Sequence, residues 1–298
     1  MNGMYLFQKI EELTFQYNDS RKVIGKFLLE NAERLNDFSM EQIAKETYTS
    51  KASLVRFAKK LGFSGWKEFV IAVKEEKAYE QKYTGEVNPN IPFEGNDSYE
   101  VIASKLKVLQ MEALEDTINT IDGSTLFKVT NLLINSETIM IFCISPYIYL
   151  ADIFRRKMMT IGKNVIVANP LEASLAAKTL SEQDCAIMVS YSGNNETIEP
   201  ISHIKEIKER NVKLIGITSG GENTLRKNSD VVLTISSRER IYSKIANFAT
   251  EESINYLLNV LFSCYFKQDY QVNLENKIAN SLQIESEKRF TNLKGIQG

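Results

Sequence analysis

The sequence is poor in histidine, cysteine, proline and tryptophan. One histidine in 298 residues leaves no material for a histidine-cluster metal site and removes most imidazole-based catalysis. Three cysteines, an odd number without paired spacing, exclude a disulfide scaffold and fit a reducing cytoplasm. No charge sign dominates: 36 basic and 38 acidic residues give a net charge of -2, so contact with nucleic acid has to come from a local patch. The longest uncharged runs, 138–151 and 253–266, have 14 residues each, short of the ~18–20 that span a bilayer. The opening MNGMYLFQKIEELTF lacks the basic start and apolar core of a signal peptide. CxxC, GxGxxG, a Walker A loop and a Ser-His-Asp order are also missing. No metal, no cofactor, no membrane contact and no catalytic residue is expected.

What is present reads as a globular chain, 43% hydrophobic and 25% charged, long enough for two domains. Residues 1–80 read as an all-α domain. A first helix is predicted over 4–16, and a second from Asp19 or Ser20 to about Asn31, with Val23, Phe27 and Leu28 on one face. Residues 81–98 (QKYTGEVNPNIPFEGNDS) carry the Gly, Pro and Asn punctuation of a linker. Asp97 is expected to cap a helix whose stripe is Ile102, Leu106, Leu109 and Ala113.

From about Asp122, five short β-branched runs alternate with helical stretches: 138–144, 164–168, 185–189, 213–217 and 231–235. That alternation predicts an α/β domain over 99–267, a five-stranded parallel sheet flanked by helices. After Ala246 comes an apolar helix striped with Ile254, Leu257, Leu258, Leu261, Phe262 and Tyr265, either core or a subunit interface. Residues 268–298 read as a polar helical tail.

Within the first domain, 39–66 reads SMEQIAKETYTSKASLVRFAKKLGFSGW. Ser39 and Gln42 form a capping box. Met40, Ile43, Ala44 and Thr47 make the apolar stripe of a two-turn helix. Ser50 then caps a longer helix that buries Leu54, Phe57, Ala58 and Leu61, and Gly62 follows its C-cap. Its other face carries Lys51, Ser53, Arg56, Lys59 and Lys60. Between Ile43 and Lys67 six basic residues meet one acid, Glu46, a local charge of +5. A short helix, a tight turn and a longer basic helix have the layout of a helix-turn-helix on duplex DNA. The candidate DNA-binding residues are Thr49, Ser50, Lys51, Ser53, Arg56, Lys59 and Lys60.

The stretch VRFAKKLGFSGWKEF is similar to the RpiR/MurR family of bacterial transcriptional regulators, whose motif at this place resembles S-x-x-T-x-x-R-F-x-x-K-L-G-F-x-G-F. Here Ser50, Ser53, Arg56, Phe57, Lys60, Leu61, Gly62, Phe63, Gly65 and Trp66 hold those positions. Tyr48 stands in the turn where the family often has glycine.

A second constellation is SYSGNNET, 190–197, read as the loop between the third strand and a helix from about Thr197 to Arg210. A strand, a loop of small hydroxyl and amide residues and a helix start favour an anion. The loop resembles the SIS (sugar isomerase) domain, as do Ile217–Ser219 (ITS) and Asn223, Thr224 and Leu225 before SDVVL. That resemblance implies a phosphosugar effector, with Ser145, Ser190, Ser192, Gly193, Asn194, Asn195, Thr197 and Glu251 as candidate ligands. The usual Gly-rich turn after the first strand is replaced by Cys143, Ile144, Ser145, Pro146 and Tyr147. His203 is expected on a helix surface and the three cysteines in the core.

Together these features predict a cytoplasmic, non-enzymatic regulator of sugar or amino-sugar metabolism. It would bind operator DNA as a homodimer or homotetramer, with the 254–266 helix as a candidate interface. Two alternatives stay open: a phosphosugar isomerase with a helical appendage, and a DNA-binding dimer whose SIS domain is only structural.

Overall fold

The computed structural model describes residues 6–83 and 87–286. The chain divides into two compact units, one drawn from 1–118, 219–223 and 235–253, the other from 119–218, 224–234 and 254–298. The first begins with helices α1 (Leu6–Gln16), α2 (Ser20–Glu30), α3 (Met40–Glu46), α4 (Lys51–Lys60), α5 (Trp66–Tyr83) and α6 (Tyr99–Ile118). The start of α1 is held from a distance. The buried carboxylate of Glu76, on α5, accepts from the backbone N–H groups of Leu6 at 2.6 Å and Phe7 at 3.1 Å, placing negative charge at the positive end of the helix. Asp19 caps α2 by accepting from the Arg21 amide.

Helices α1 and α2 approach at Gly25, where an added Cβ would lie 1.8 Å from the Thr14 hydroxyl. Turning Gly25 toward α1 buries its neighbours Ile24 and Leu28. Val23, expected on the inner face, is left 44% exposed. Ser98, rather than Asp97, caps α6 by accepting from the Val101 amide. Asp97 takes the Glu94 amide and the Lys105 ammonium instead. Leu109 and Ala113 of α6 bury Val87 and Ala249 against them.

The second unit begins with α7 (Gly123–Asn135), capped by Asp122. The strands β1 (Ile139–Phe142), β2 (Val165–Val167), β3 (Cys185–Val189), β4 (Lys213–Ser219) and β5 (Val231–Ile235) follow, with α8 (Tyr147–Met159), α9 (Ala173–Thr179), α10 (Ile204–Glu209) and α11 (Thr224–Asn228) between them. The order in the sheet is β2-β1-β3-β4-β5. The pairings of β1 with β2, β1 with β3, and β3 with β4 are parallel, with Phe142 opposite Met188 and Val189 opposite Ile217. Strands β1 and β3 are buried at every position, as strands covered on both faces must be, whereas edge strand β2 exposes Ile166. Met140, Phe142, Ala186, Met188 and Leu214 pack on one face with Ile204 and Ile207 of α10. Ile139, Ile141 and Ile187 point to the other face and are equally buried.

Two helices close the chain, α12 (Phe248–Gln268) and α13 (Tyr270–Ser286). Ile254, Leu257, Leu258 and Leu261 are at most 2% exposed. That stripe is core within the single chain, and Phe262 and Tyr265 are half-buried.

The segment between β5 and α12 belongs to the first unit and is gripped by two carboxylates with no exposed surface, Glu11 and Glu239. Glu11, on α1, accepts from the consecutive amides of Ile241 (2.7 Å), Tyr242 (3.2 Å) and Ser243 (3.3 Å) and from the Ser243 hydroxyl (2.5 Å). Beside it, the Phe15 and Tyr242 rings meet at a tilt of 58° with centroids 4.8 Å apart, and the Gln8 side-chain amide donates to the Glu239 backbone carbonyl. Glu239 accepts from the Ala249 and Thr250 amides and the Thr250 hydroxyl, closing the start of α12. Burial pushes the Glu239 pKa up, while those donors and Lys244 pull against it.

Removing a buried carboxylate that satisfies several part-buried donors costs more than a lost neutral contact, up to ~1–3 kcal/mol for each group left unpaired. Glu11→Ala should lower the unfolding free energy by about 3 kcal/mol or more in urea titrations. Glu30→Ala, on the exposed side of α2, should cost under ~0.5 kcal/mol. Equal small losses would show that the Glu11 bonds contribute nothing net.

Candidate functional site

The basic surface is built from α3, the turn and α4. In α3 the Ser39 hydroxyl accepts from the Gln42 amide and the Gln42 side chain accepts from the Ser39 amide, completing the capping box. Ile43 and Ala44 are buried, and the buried Thr47 hydroxyl donates back to the Ile43 carbonyl at 2.7 Å. In the turn the Thr49 hydroxyl lies 2.8 Å from that of Thr47. Ser50 starts α4 by accepting from the Ser53 amide at 3.1 Å. At the other end the Gly62 amide donates to Lys59 O and the Phe63 amide to Ala58 O, while Gly62 has φ +94. These bonds make a Schellman cap, which needs a left-handed residue at that point.

Burial of Leu54, Phe57 and Ala58 turns the opposite face of α4 outward. Lys51, Arg56, Lys59 and Lys60 are exposed there, as are Lys45 and Lys67 nearby. Lys51 pairs with Glu41. The Arg56 guanidinium donates to the Ser53 hydroxyl at 3.1 Å, which sets its direction. Phe69, at the start of α5, packs beneath with ring centroids 6.1 Å from Phe57 and 5.1 Å from Trp66.

The second site follows from the strand order. In an open α/β sheet, ligands sit beyond the carboxyl ends of the strands where the order reverses, and here the reversal lies between β1 and β3. Beyond β1 come Cys143, buried, then Ile144 and Ser145, both exposed, and Pro146, which precedes α8. Beyond β3 comes 190–197. The Ser190 hydroxyl accepts from the Gly193 amide at 3.2 Å, and the Gly193 carbonyl accepts from the Leu225 amide at 2.8 Å. Gly193 has φ +63. The Asn194 side-chain oxygen accepts from the Thr224 amide, and that of Asn195 from the Thr197 amide and hydroxyl. Ser190, Asn194 and Asn195 therefore shape the loop and tie it to α11. The Ser192 hydroxyl is half-buried on the same loop, and Thr197 is exposed.

One expectation fails here. No helix starts at Thr197: a 3-10 turn runs over Ile201–His203 and α10 begins at Ile204. Asn195, at φ 72, turns the chain away, and Pro200 supplies no N–H for a preceding helical turn. The helix start nearest the reversal is that of α8, directly after Ser145. His203 is also corrected. It is 5% exposed, set between Glu199 and Glu206 with its ring 5.9 Å from Phe142. Glu251, in the first turn of α12, belongs to the unit that holds the helix-turn-helix. Its neighbour Lys244 is 10% exposed at the side chain, and burial lowers its pKa. The clamping roles of Glu11 and Glu76 left no signal in the sequence, because their donors lie far away along the chain, and Glu239 meets its donors across an irregular segment with no periodic pattern.

Comparison with known proteins agrees with this layout. Residues 4–80 match the helix-turn-helix domain of the rpiR family, and residues 132–261 match the SIS domain. The chain therefore pairs a helix-turn-helix domain of the rpiR type with a SIS domain. An uncharacterized HTH-type transcriptional regulator of Clostridium perfringens is 26% identical over 275 residues, 92% of this chain and 97% of the relative. Another, of Caldanaerobacter subterraneus, is 24% identical over 284 residues, 95% of this chain and 98% of the relative. The fold is shared with the Vibrio vulnificus NanR protein complexed with ManNAc-6P, at TM-score 0.61, 18% identity and coverage of 95% of this chain and 100% of that one. It is also shared with the sugar isomerase domain of an RpiR transcription factor from Sphaerobacter thermophilus, at TM-score 0.51, 13% identity and coverage of 62% and 98%. Among the described residues no helix is long and apolar enough to cross a membrane.

Burial pushes the thiols of Cys143 and Cys185 up to about 12, which holds them protonated and unreactive. Cys264 is half-exposed. Iodoacetamide at neutral pH should label Cys264 alone in the folded chain, read by peptide mass spectrometry. Label on Cys143 would show that the end of β1 is open to reagent.

Proposed function

We propose that this chain is a transcriptional regulator of the RpiR type that binds operator DNA through α4 and senses a phosphosugar in its SIS domain. The observation that carries the reading is the outward face of α4. A buried stripe and two caps fix the helix, and four cations project from it into solvent. Such a face supplies phosphate contacts, and Arg56 is placed for a phosphate or a guanine edge. Thr49, Ser50, Lys51, Ser53, Lys59 and Lys60 complete the surface. We assign DNA binding to 1–80, a connecting segment to 81–98, the SIS domain with its leading helix to 99–267 and a helical tail to 268–298.

For the effector we assign Ser145 and Ser192 as hydroxyl donors from the two loops at the reversal of strand order, with the start of α8 beside Ser145. Gly193 and Thr197 add to the loop surface. Ser190, Asn194 and Asn195 keep that surface in shape. A phosphosugar suits these groups, and NanR, which shares the fold, was solved with one. The relatives that align over more than nine-tenths of this chain are named as HTH-type transcriptional regulators, which favours a sensor over an isomerase. We further infer a homodimer or homotetramer in the cytoplasm, its two helix-turn-helix units meeting half-sites ~34 Å apart or a multiple of that. An effector that prefers one geometry of the dimer then changes DNA affinity by linkage.

Arg56→Ala should weaken DNA binding by ~1–3 kcal/mol, about 5- to 150-fold, in anisotropy titrations. Lys59→Ala should lower the slope of log K against log salt by ~1. An unchanged affinity in both variants would remove α4 as the recognition surface. Thermal shift with a sugar-phosphate panel, starting from ManNAc-6P, tests the sensor. A ligand at 100 times its Kd stabilises by ~2.7 kcal/mol, and Ser192→Ala should abolish that shift while leaving DNA affinity unchanged. Turnover of any panel member would favour the isomerase.

A further inference from the structure

Helices α3 and α4 end in the same way. At the end of α4 the Gly62 amide donates to Lys59 O and the Phe63 amide to Ala58 O. At the end of α3 the Tyr48 amide donates to Lys45 O at 3.1 Å and the Thr49 amide to Ala44 O at 2.8 Å. Both are Schellman caps, and both require a left-handed residue at the first position past the C-cap. Gly62 meets that requirement without a Cβ. Tyr48 meets it at φ 51 with a full side chain. Among the described residues the other positive φ values fall on Gly62, Gly162, Gly193, Gly221, Asn195 and Asn211. Those are the residue types that tolerate this region, whereas a bulky residue there is strained.

The cap's two hydrogen bonds hold the backbone there, but the side chain adds no packing that would favour a tyrosine over glycine. Tyr48 is 95% exposed, more than any other large hydrophobic side chain among the described residues. It stands beside Lys45 and directly before Thr49, Ser50 and Lys51, at the start of the basic face of α4. A strained, unburied tyrosine amid cations is matched by a polyanion that offers a sugar face to the ring and an acceptor oxygen to the hydroxyl. We propose that Tyr48 is a DNA-contact residue, its hydroxyl donating to a backbone phosphate and its ring resting on the adjoining deoxyribose. This rests on the reading of α4 as a DNA-binding helix and adds a contact from the turn. Such a contact positions the protein on the duplex and carries no base sequence.

The test sets two readouts against each other in the full-length chain. Tyr48→Gly relieves the backbone, so the melting temperature should rise by a few degrees. The same variant should bind a fluorescein-labelled mixed-sequence duplex at low ionic strength at least five-fold more weakly than wild type. The salt slope should stay unchanged, because a neutral side chain releases no counterion. Tyr48→Phe should keep the wild-type melting temperature and lose part of the affinity. A Tyr48→Gly chain that melts higher yet binds within two-fold of wild type overturns the inference. So does one that melts lower, since the ring would then serve the fold. If wild type itself ignores the duplex, the DNA-binding reading fails with it. If wild type binds and only Tyr48→Gly is neutral, the inference alone fails.

Discussion

The chemistry at the front of the chain depends on a hydrophobic constraint. Leu54, Phe57 and Ala58 have one place to go, against Phe69 and the residues of α1–α3 around them. Burying a Leu or Phe side chain is worth ~1.5–3 kcal/mol, while a surface ion pair contributes ~0–1 kcal/mol. The stripe therefore decides the rotation of α4 about its axis, and the cations follow. Arg56, Lys59 and Lys60, three and four positions apart, share the face opposite the buried stripe and so project into solvent. The caps at Ser50 and Gly62 fix the length of the helix, so the number of charges it offers is set as well.

The α/β unit obeys a constraint of a different kind. Its strand order brings the β1 and β3 loops to one crevice, whatever the loops contain. What they contain divides the work. Ser190, Asn194 and Asn195 spend their side-chain oxygens on loop amides and on the amide of Thr224. That leaves Ser145 and Ser192 as hydroxyls that do not hold the loop together. A scan that counts hydroxyl and amide residues along 190–197 cannot separate the two groups, because the distinction lies in the hydrogen bonds.

Features governed by neighbours in sequence were legible. The capping box at Ser39, the cap at Ser50, the Schellman glycine at 62 and all five strands could be read because each depends on residues a few positions apart. The α10 start was misplaced, since the Asn195 turn and Pro200 outweigh an otherwise helical pattern between Thr197 and Arg210. Val23 was placed on the wrong face because Gly25, which has no side chain to count, sets how α2 meets α1. His203 is buried for a related reason: the helix from Thr197 that would have turned it to the surface is not formed. The clamping carboxylates could not be seen at all. Glu11 in EELTF looks like any surface acid, and its donors lie more than two hundred residues on.

That long-range clamp makes the helical unit discontinuous in sequence. Three consecutive amides at 241–243 and a serine hydroxyl converge on an acid in the first helix. A fragment cut after residue 80 would keep the acid and lose every one of those donors. Dissecting this protein at its apparent boundary would therefore leave α1 with a bare charge on the side that should be covered, and the isolated piece would understate the solidity of the same helices in the intact chain.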